Sequence, residues 1–396
     1  MLEKIKELAY EIESDIINTR RQIHRNPELA LNEFQTSKLV TNHLNKLGFE
    51  VTGNVGKTGV VALLRGKVPG RTVALRADMD ALPIQEQNCH EFKSIKDNIM
   101  HACGHDAHTA ILLGAATILS KIQDSIKGNI KFIFQPSEET GLGGARSMIE
   151  EGVLENPKVD AIFGLHVNPE LQAKTIGYRE GAICATGAGF KIDIIGKGGH
   201  GSSPHDAIDS IIIASEVVRS LQTISSSKVD PRETFVLTVG TINGGYAANV
   251  IADKVTLTGT IRYFNNGIIV KVKNDIENIV DHITAAHGAT YKFNFHAGGS
   301  PVINDNKMVN IVKNAAVEIL NEKDVILVPQ CLWGEDFALY ASLVPAAFVL
   351  LGVGYENREN YPLHNSRFDI NEEALPVGAA LLAYSAMSFL TNDLDS

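Results

Sequence analysis

The chain has 396 residues, 44% of them hydrophobic and 21% charged, with a formal net charge of -10 at pH 7. That length exceeds what one hydrophobic core ordinarily supports, so two domains are expected. The acidic balance argues against nucleic-acid or anionic-membrane partners, since no basic surplus exists to neutralise phosphates, and no apolar run approaches the ~18 residues of a membrane span.

Leu2, Ile5, Leu8, Ile12 and Ile16 recur at helical spacing among charged residues, which predicts an amphipathic helix rather than a secretory signal. Arg25-Asn26-Pro27-Glu28 is a turn signal, and a second helix is predicted from Glu33 to Leu47, stopped by Gly48. Val60 to Leu64 and Thr72 to Arg76 are short strands, the second ending in Asp78-Met79-Asp80. Two carboxylates at a strand end serve equally as turn caps or as metal-site residues.

Within nine residues, Met100 to His108, the chain gathers His101, Cys103, His105, Asp106 and His108, then enters an apolar helix running to Lys121. Imidazole, thiolate and carboxylate form a mixed-softness donor set suited to zinc, manganese or a related divalent ion. Cys103 and His105, two apart, can reach one ion only from an extended or turning backbone ahead of the helix. A strand from Asn129 to Phe134 runs into Gln135-Pro136-Ser137-Glu138-Glu139 and the flexible Gly141-Leu142-Gly143-Gly144. Another, Val159 to Gly164, delivers His166 at its carboxyl end. Alternating strands and helices over residues 50–180 predict an open α/β sheet, in which ligands bind at the carboxyl ends of strands. Asp78, Cys103, His105, Glu138, Glu139 and His166 would then share one crevice.

From Ile183 the pattern changes. Gly189 to Ile195 alternates as a half-buried strand, and a helix from Ala207 to Ile224 follows. Strands at Thr234–Thr241 and Lys254–Tyr263, a helix at Ile269–His287 and a strand at Thr290–Phe295 complete a β-α-β-β-α-β order. That order predicts a ferredoxin-like α+β module at 184–298 inserted into a catalytic domain formed by 1–183 and 299–396, with Ala297 to Pro301 as the return hinge. A helix from Lys307 to Leu320, a strand from Ala347 to Gly352, the loop histidine His364 and a closing helix from Glu372 to Leu390 finish the first architecture. Four cysteines (Cys89, Cys103, Cys184 and Cys331) do not make a disulfide framework, so a reducing cytoplasm is expected.

The sequence resembles peptidase family M20, metal-dependent amidohydrolases, and within it the hippurate hydrolase, N-acyl-amino-acid amidohydrolase and indole-acetyl-amino-acid hydrolase branch. The resemblance rests on His24-Arg25-Asn26-Pro27-Glu28, Arg76 to Pro83, Met100 to His108, Gln135 to Glu139, Gly164-Leu165-His166, Gly198 to Gly201, Asn249-Val250-Ile251, Gly259 to Arg262 and Leu363-His364-Asn365. It implies two divalent ions, Mn2+ or Zn2+ with Co2+ or Ni2+ as further options, held by Cys103, His105, Glu139, His166 and His364. It assigns Glu138 as general base and Asp80 as the carboxylate orienting a histidine or the water. Asp78 matches a position that is a histidine ligand elsewhere in the family, so its own role stays open. His200 on the inserted module is expected to reach a partner subunit's site and polarise the scissile carbonyl. Asn249 and Arg262 are expected to hold the oxyanion side and the substrate carboxylate. The implied substrates are small N-acyl amino acids, and the implied assembly is a homodimer through the inserted module.

The chemistry is consistent with that set. A divalent metal lowers the pKa of water towards ~7, and adjacent glutamates on an extended backbone diverge, one to a metal and one to the water. The close alternative is an aminopeptidase or dipeptidase acting on unblocked dipeptides. Two readings from other classes are a cysteine nucleophile, Cys103 with His105 or His108 as base, and a non-catalytic metal-binding or partner-binding protein that keeps the fold.

Overall fold

The structure is a computed structural model that describes residues 1–140 and 143–391, and it divides into two units. The first comprises Met1–Ile183, Ile303–Pro329 and Asp336–Ser396; the second comprises Cys184–Val302 and Gln330–Glu335. The second unit is thus longer than the sequence pattern indicated. Gly298 donates its N–H to the Gly187 carbonyl (2.7 Å) and Thr186 Oγ1 donates to the Gly299 carbonyl (3.0 Å), so the expected hinge is tied into that unit. Gln330–Glu335 also returns to it, with the Ala185 N–H bonded to the Cys331 carbonyl at 2.8 Å.

In the first unit the helices α1 (Leu2–Glu11), α2 (Glu13–Arg25) and α3 (Phe34–Lys46) precede the sheet. The predicted first helix is two segments that break at Ile12, although Ile5, Leu8, Ile12 and Ile16 are all buried as the periodicity requires. The strands β1 (Glu50–Val55), β2 (Gly59–Arg65), β3 (Val68–Asp78), β4 (Lys127–Gln135), β5 (Ala161–Gln172) and β6 (Ile176–Tyr178) join Val325–Leu327 and Ala346–Gly354 in an eight-stranded mixed sheet. The order is β1, β2, β4, β3, β5, Ala346–Gly354, β6, Val325–Leu327. Its centre is parallel, from β4 through β3 and β5 to Ala346–Gly354, and β1 and β2 add antiparallel at one edge.

Helices cover both faces of this sheet. On Ala346–Gly354, Leu351 lies close to the Gly378 and Ile111 pair of helices, whereas Phe348 packs on Phe337; alternate residues of a strand face opposite ways. The closing helix Leu375–Thr391 lies against β3 and against α4 (His105–Lys121). With its leading turn, Glu372–Thr391 spans 20 residues, and its most apolar 18-residue window has mean hydropathy 1.5, long and apolar enough to cross a membrane although no such run stood out in the sequence. Its most apolar window is 78% buried inside the fold, as a helix that is hydrophobic all round is in a protein core. Of the predicted flexible stretch, Gly141 and Leu142 lie outside the described residues, while Gly144 opens a short helix, Gly144–Glu150.

The second unit is a four-stranded antiparallel sheet in the order Phe235–Gly244, Lys254–Tyr263, Thr186–Ile195, Thr290–Ala297. Ser210–Thr223 and Asn266–Ala286 cover one face, capped by Asp209 and Asn265 side chains that accept the N–H groups of Ile211 and Gly267 at 2.8 Å. Phe190, Ile192 and Ile194 pack against Ile213, Val217, Val272 and Ile276 from those helices. This is the β-α-β-β-α-β module that the sequence predicted.

Candidate metal centre

Sheet register sets the site. Asp78 pairs with Gln135 across β3 and β4, and Arg76 pairs with Gly164 across β3 and β5. His166, two residues beyond Gly164, therefore sits level with Asp78. The strand does not end at Gly164 as predicted; it continues to Gln172 alongside Ala346–Gly354, so His166 is fixed on a strand just where β3 has run out.

The Met100–His108 motif turns into α4 through Gly104, whose φ of +86° is left-handed and whose position leaves no room for a Cβ against Val167. That turn separates the roles of the motif's histidines. His108 donates from Nδ1 to Asp78 Oδ1 (2.6 Å) and accepts the Val167 N–H at Nε2 (2.9 Å), so both its ring nitrogens are committed. His101 is buried with neither ring nitrogen hydrogen-bonded, and burial pushes its pKa down to about 3. His105, fully buried at the first helical position, has neither ring nitrogen in a hydrogen bond.

Around His105 lie the other predicted ligands. Its Nε2 is 3.8 Å from Glu139 Oε1, which is in turn 3.3 Å from His364 Nε2 and is itself buried without a hydrogen-bond partner. His166 donates from Nδ1 to the Val167 carbonyl (2.8 Å), which turns the Nε2 lone pair toward Cys103 Sγ at 3.5 Å. Cys103, His105 and His166 bring their donor atoms within 4.8 Å of one another, as do Cys103, Glu139 and His364. Cys103 Sγ is common to both groups. His364 reaches the centre from a loop at φ +65°, held by its N–H to the Ala102 carbonyl at 2.8 Å.

The electrostatics match a cation site. Burial pushes the Cys103 thiol well up and the His166 imidazole well down. Burial opposes charge on Asp78 too, but His105, His108 and Arg76 outweigh it and hold that carboxyl well below its usual range. Buried polar atoms left without hydrogen bonds are costly in a folded protein, and His105 and Glu139 supply them where sulfur, nitrogen and oxygen donors converge. The residues present therefore fit one or more divalent ions of the zinc or manganese type.

Glu138 stands beside this cluster, and its backbone is gripped by Asp80. Asp80 Oδ1 accepts the Glu138 N–H and Oδ2 the Glu139 N–H, each at 3.0 Å, while Oδ1 also lies 3.4 Å from His105 Nδ1. Asp78 is not placed as a ligand. Oδ1 serves His108 and Oδ2 accepts from Arg76 Nη1 at 2.7 Å, so its oxygens anchor neighbours.

Arg76, Gln135 and Asp336 complete the support, and sequence reasoning gave them no role. Arg76 donates to Asp78, to Gln135 Oε1 (2.9 Å) and to Asp336 Oδ1 (2.8 Å). The signal was a basic residue two before Asp78 on the same strand face, but its partner Asp336 is 260 residues away. A second buried network joins His24 to Asp106 (Nδ1 to Oδ2, 2.8 Å) and to Glu86 (Nε2 to Oε1, 3.2 Å), with Arg20 Nε 2.8 Å from Asp106. Burial and Arg20 lower the His24 pKa, yet the flanking carboxylates leave it raised, as expected of an imidazolium donating from both nitrogens. His24, Glu86 and His90 also bring donor atoms within 4.8 Å. His24 and Glu86 form an ion pair, since Glu86 accepts from His24, from Asn88 (3.1 Å) and from the Ser94 N–H (2.7 Å), while His90 Nε2 lies 3.3 Å from Glu86 Oε1 without a hydrogen bond.

The remaining predicted residues belong to the second unit. His200 and Asn249 are neighbours on a two-stranded ribbon, where Val250 pairs with His200 and the Asn249 carbonyl accepts the Gly201 N–H at 2.8 Å. His200 accepts the Ser202 N–H at Nδ1 (3.2 Å), which puts its proton on Nε2. Arg262 lies on the sheet strand Lys254–Tyr263, over Gly187 of the neighbouring strand.

A model of peptidase family M20/M25/M40 matches residues 74–388. The chain is 42% identical over 393 residues to thermostable carboxypeptidase 2 of Saccharolobus solfataricus, covering 98% of this chain and 99% of that one. It is 46% identical over 302 residues to the N-acyl-L-amino acid amidohydrolase of Geobacillus stearothermophilus, 76% of this chain and 81% of that one. A crystal structure from Bacillus subtilis, described as a dinuclear metal binding peptidase from the M20 family, is similar at TM-score 0.84 and 35% identity, with 96% and 99% of the two chains covered.

Proposed function

The chain belongs to peptidase family M20/M25/M40, and from that premise we propose that it hydrolyses the amide bond of N-acyl amino acids with Glu138 as general base. It is a metal-dependent hydrolase of the amidohydrolase kind. The finer reading is carried by one observation: the buried, hydrogen-bond-free atoms of His105 and Glu139 lie among Cys103, His166 and His364, with Glu138 next in sequence. The Geobacillus relative's name supports the acyl-amino-acid substrate.

Cys103, His105, Glu139, His166 and His364 would hold two divalent ions, by analogy with the dinuclear Bacillus relative. Such ions acidify an attacking water and polarise the amide carbonyl. Glu138 takes a proton from that water and returns it to the departing amine nitrogen, a role worth ~10²–10⁴ in rate. Asp80 holds the base at its backbone, and its Oδ1 lies 3.4 Å from His105 Nδ1. His200, protonated on Nε2, is suited to donate to the scissile carbonyl from a partner subunit. Asn249 and Arg262 supply the oxyanion side and the substrate carboxylate. The edge strand Phe235–Gly244 has a partner on one side only within its sheet, so it can pair across a two-fold axis in a homodimer.

Peptide hydrolysis is the second reading, favoured by the Saccharolobus relative named a carboxypeptidase. Hydrolysis of N-acetyl and N-benzoyl amino acids, blocked peptides and unblocked dipeptides in the presence of Mn2+ or Zn2+, followed by amine release, separates the two. Cleavage confined to substrates with a free amine sinks the acyl-amino-acid assignment.

A further inference from the structure

Three successive backbone N–H groups, those of Ser137, Glu138 and Glu139, end on two buried carboxylates. Asp80 takes the second and third. The first goes to Glu33 Oε1 at 2.9 Å, an oxygen that also accepts the Leu31 N–H at 3.0 Å, while Oε2 accepts the Thr58 hydroxyl. Glu33 is 0% exposed. It stands at the foot of α3, yet its side chain makes no capping bond to that helix. Glu28 does the capping instead, accepting the Gln35 and Thr36 N–H groups at 2.9 Å. The Glu33 carboxylate is thereby left to the turn that carries Glu138.

That turn needs holding. Ser137 is buried at φ +56°, a left-handed conformation that residues with a side chain seldom adopt. Its carbonyl is packed against Gly144, where an added Cβ would come within 2.8 Å. Removal of the Glu33 oxygen would leave the Ser137 N–H buried without a partner, and the strained residue would relax toward the ordinary region. Such a change displaces the root of the very next side chain, Glu138. Glu139 keeps its own bond to Asp80 Oδ2 and its place beside His105 and His364.

We infer that Glu33 is a positioning residue for Glu138, holding the base in place through the Ser137 amide; the inference rests on the reading of Glu138 as the base. Its signature is lost turnover with the metal retained. In Glu33→Ala, well below the unfolding midpoint, kcat falls about 10- to 100-fold, as misplacement of a reacting group by ~1 Å does, with KM little changed. Metal content, read by mass spectrometry of the dialysed protein, stays at the wild-type value. Glu33→Gln restores most of kcat, because the amide oxygen still accepts the Ser137 N–H while its NH2 turns to the Thr58 oxygen. Should Glu33→Ala not fold, Glu33→Asp, with the carboxylate withdrawn by one methylene, is expected to show the same loss. A kcat within about threefold of wild type overturns the inference, as does metal content that falls with kcat, or a glutamine variant no better than alanine. Glu138→Gln keeps the two questions apart. If that variant turns over normally, the base assignment itself fails; if it is inactive beside a Glu33→Ala of normal kcat, only the role of Glu33 fails.

Discussion

Asp78 and His108 are joined by a 2.6 Å hydrogen bond from Nδ1 to Oδ1, and this contact removes His108 from the set of metal ligands. With Nε2 also accepting the Val167 N–H, no lone pair remains. His105, three residues earlier on the same helix, keeps both nitrogens out of hydrogen bonds. Replacing the two should therefore give opposite results. His108→Asn is expected to bind metal as wild type does and to lose about 1–3 kcal/mol of stability, from the Val167 N–H left unpaired. His105→Asn is expected to lose metal. Metal content and urea denaturation of both variants check this, and a metal-free His108→Asn contradicts it.

The base assignment makes a sharper demand. Glu138→Gln preserves the backbone N–H that Asp80 accepts, so the fold and the ligands stay in place. Its kcat is expected to fall by ~10²–10⁴ with metal content unchanged. Steady-state kinetics of the metal-replete variant measure this directly.

Metal removal should cost both activity and stability. Chelation leaves His105 and Glu139 with buried atoms that make no hydrogen bond and is expected to abolish turnover and lower the unfolding midpoint, both restored by added Mn2+ or Zn2+. Burial holds the Cys103 thiol protonated in the metal-free protein, so binding must release its proton. Apparent affinity should weaken as pH falls, and titration of the apoprotein with metal in weak buffer should liberate acid. Activity that survives complete chelation would return the cysteine nucleophile to consideration.

Acid stability isolates the second buried network. The Glu86 carboxyl is pulled from 4.5 to about 2; burial opposes this, and His24 with the Ser94 N–H and Asn88 outweighs it. A depressed carboxyl stabilises the fold above its unfolded pKa and loses that contribution as pH falls through its folded one. Glu86→Gln should therefore be less stable than wild type near neutral pH. The gap should close as pH drops from 4.5 toward about 2, as urea denaturation across that range would show.

The proposed homodimer is open to a direct test. Sedimentation of the native protein is expected to give a dimer, and His200→Ala is expected to lower kcat without altering metal content. A fully active monomer rules out a contribution of His200 from a partner subunit.

Much of the architecture was legible because periodicity reports burial. Residues 189–195 alternate and lie on a half-buried strand, and the ordered run of strands and helices from residue 186 to 297 gave the second unit's topology. The edge strand Glu50–Val55 went unread, since its mostly exposed residues, Gly53 and Asn54 among them, leave no apolar pattern. The return of the chain was placed too early because Gly298-Gly299 looked like a hinge, whereas hydrogen bonds to Gly187 and Thr186 draw those residues into the second unit. Gln330–Glu335 carries no sequence mark of the unit it joins.

By itself, the sequence determined which chemical groups exist: Cys103, His105, Glu138, Glu139, His166 and His364 are visible as a donor list because their residue types are rare in such company. Only the tertiary structure decided what each lone pair does. Whether a histidine binds a metal or braces a carboxylate depends on what lies within about 3 Å of each ring nitrogen, and those neighbours come from distant parts of the chain. The same holds for Glu33. Its carboxylate meets an amide 104 residues away, a distance over which local pattern carries no information and only folding brings the two together.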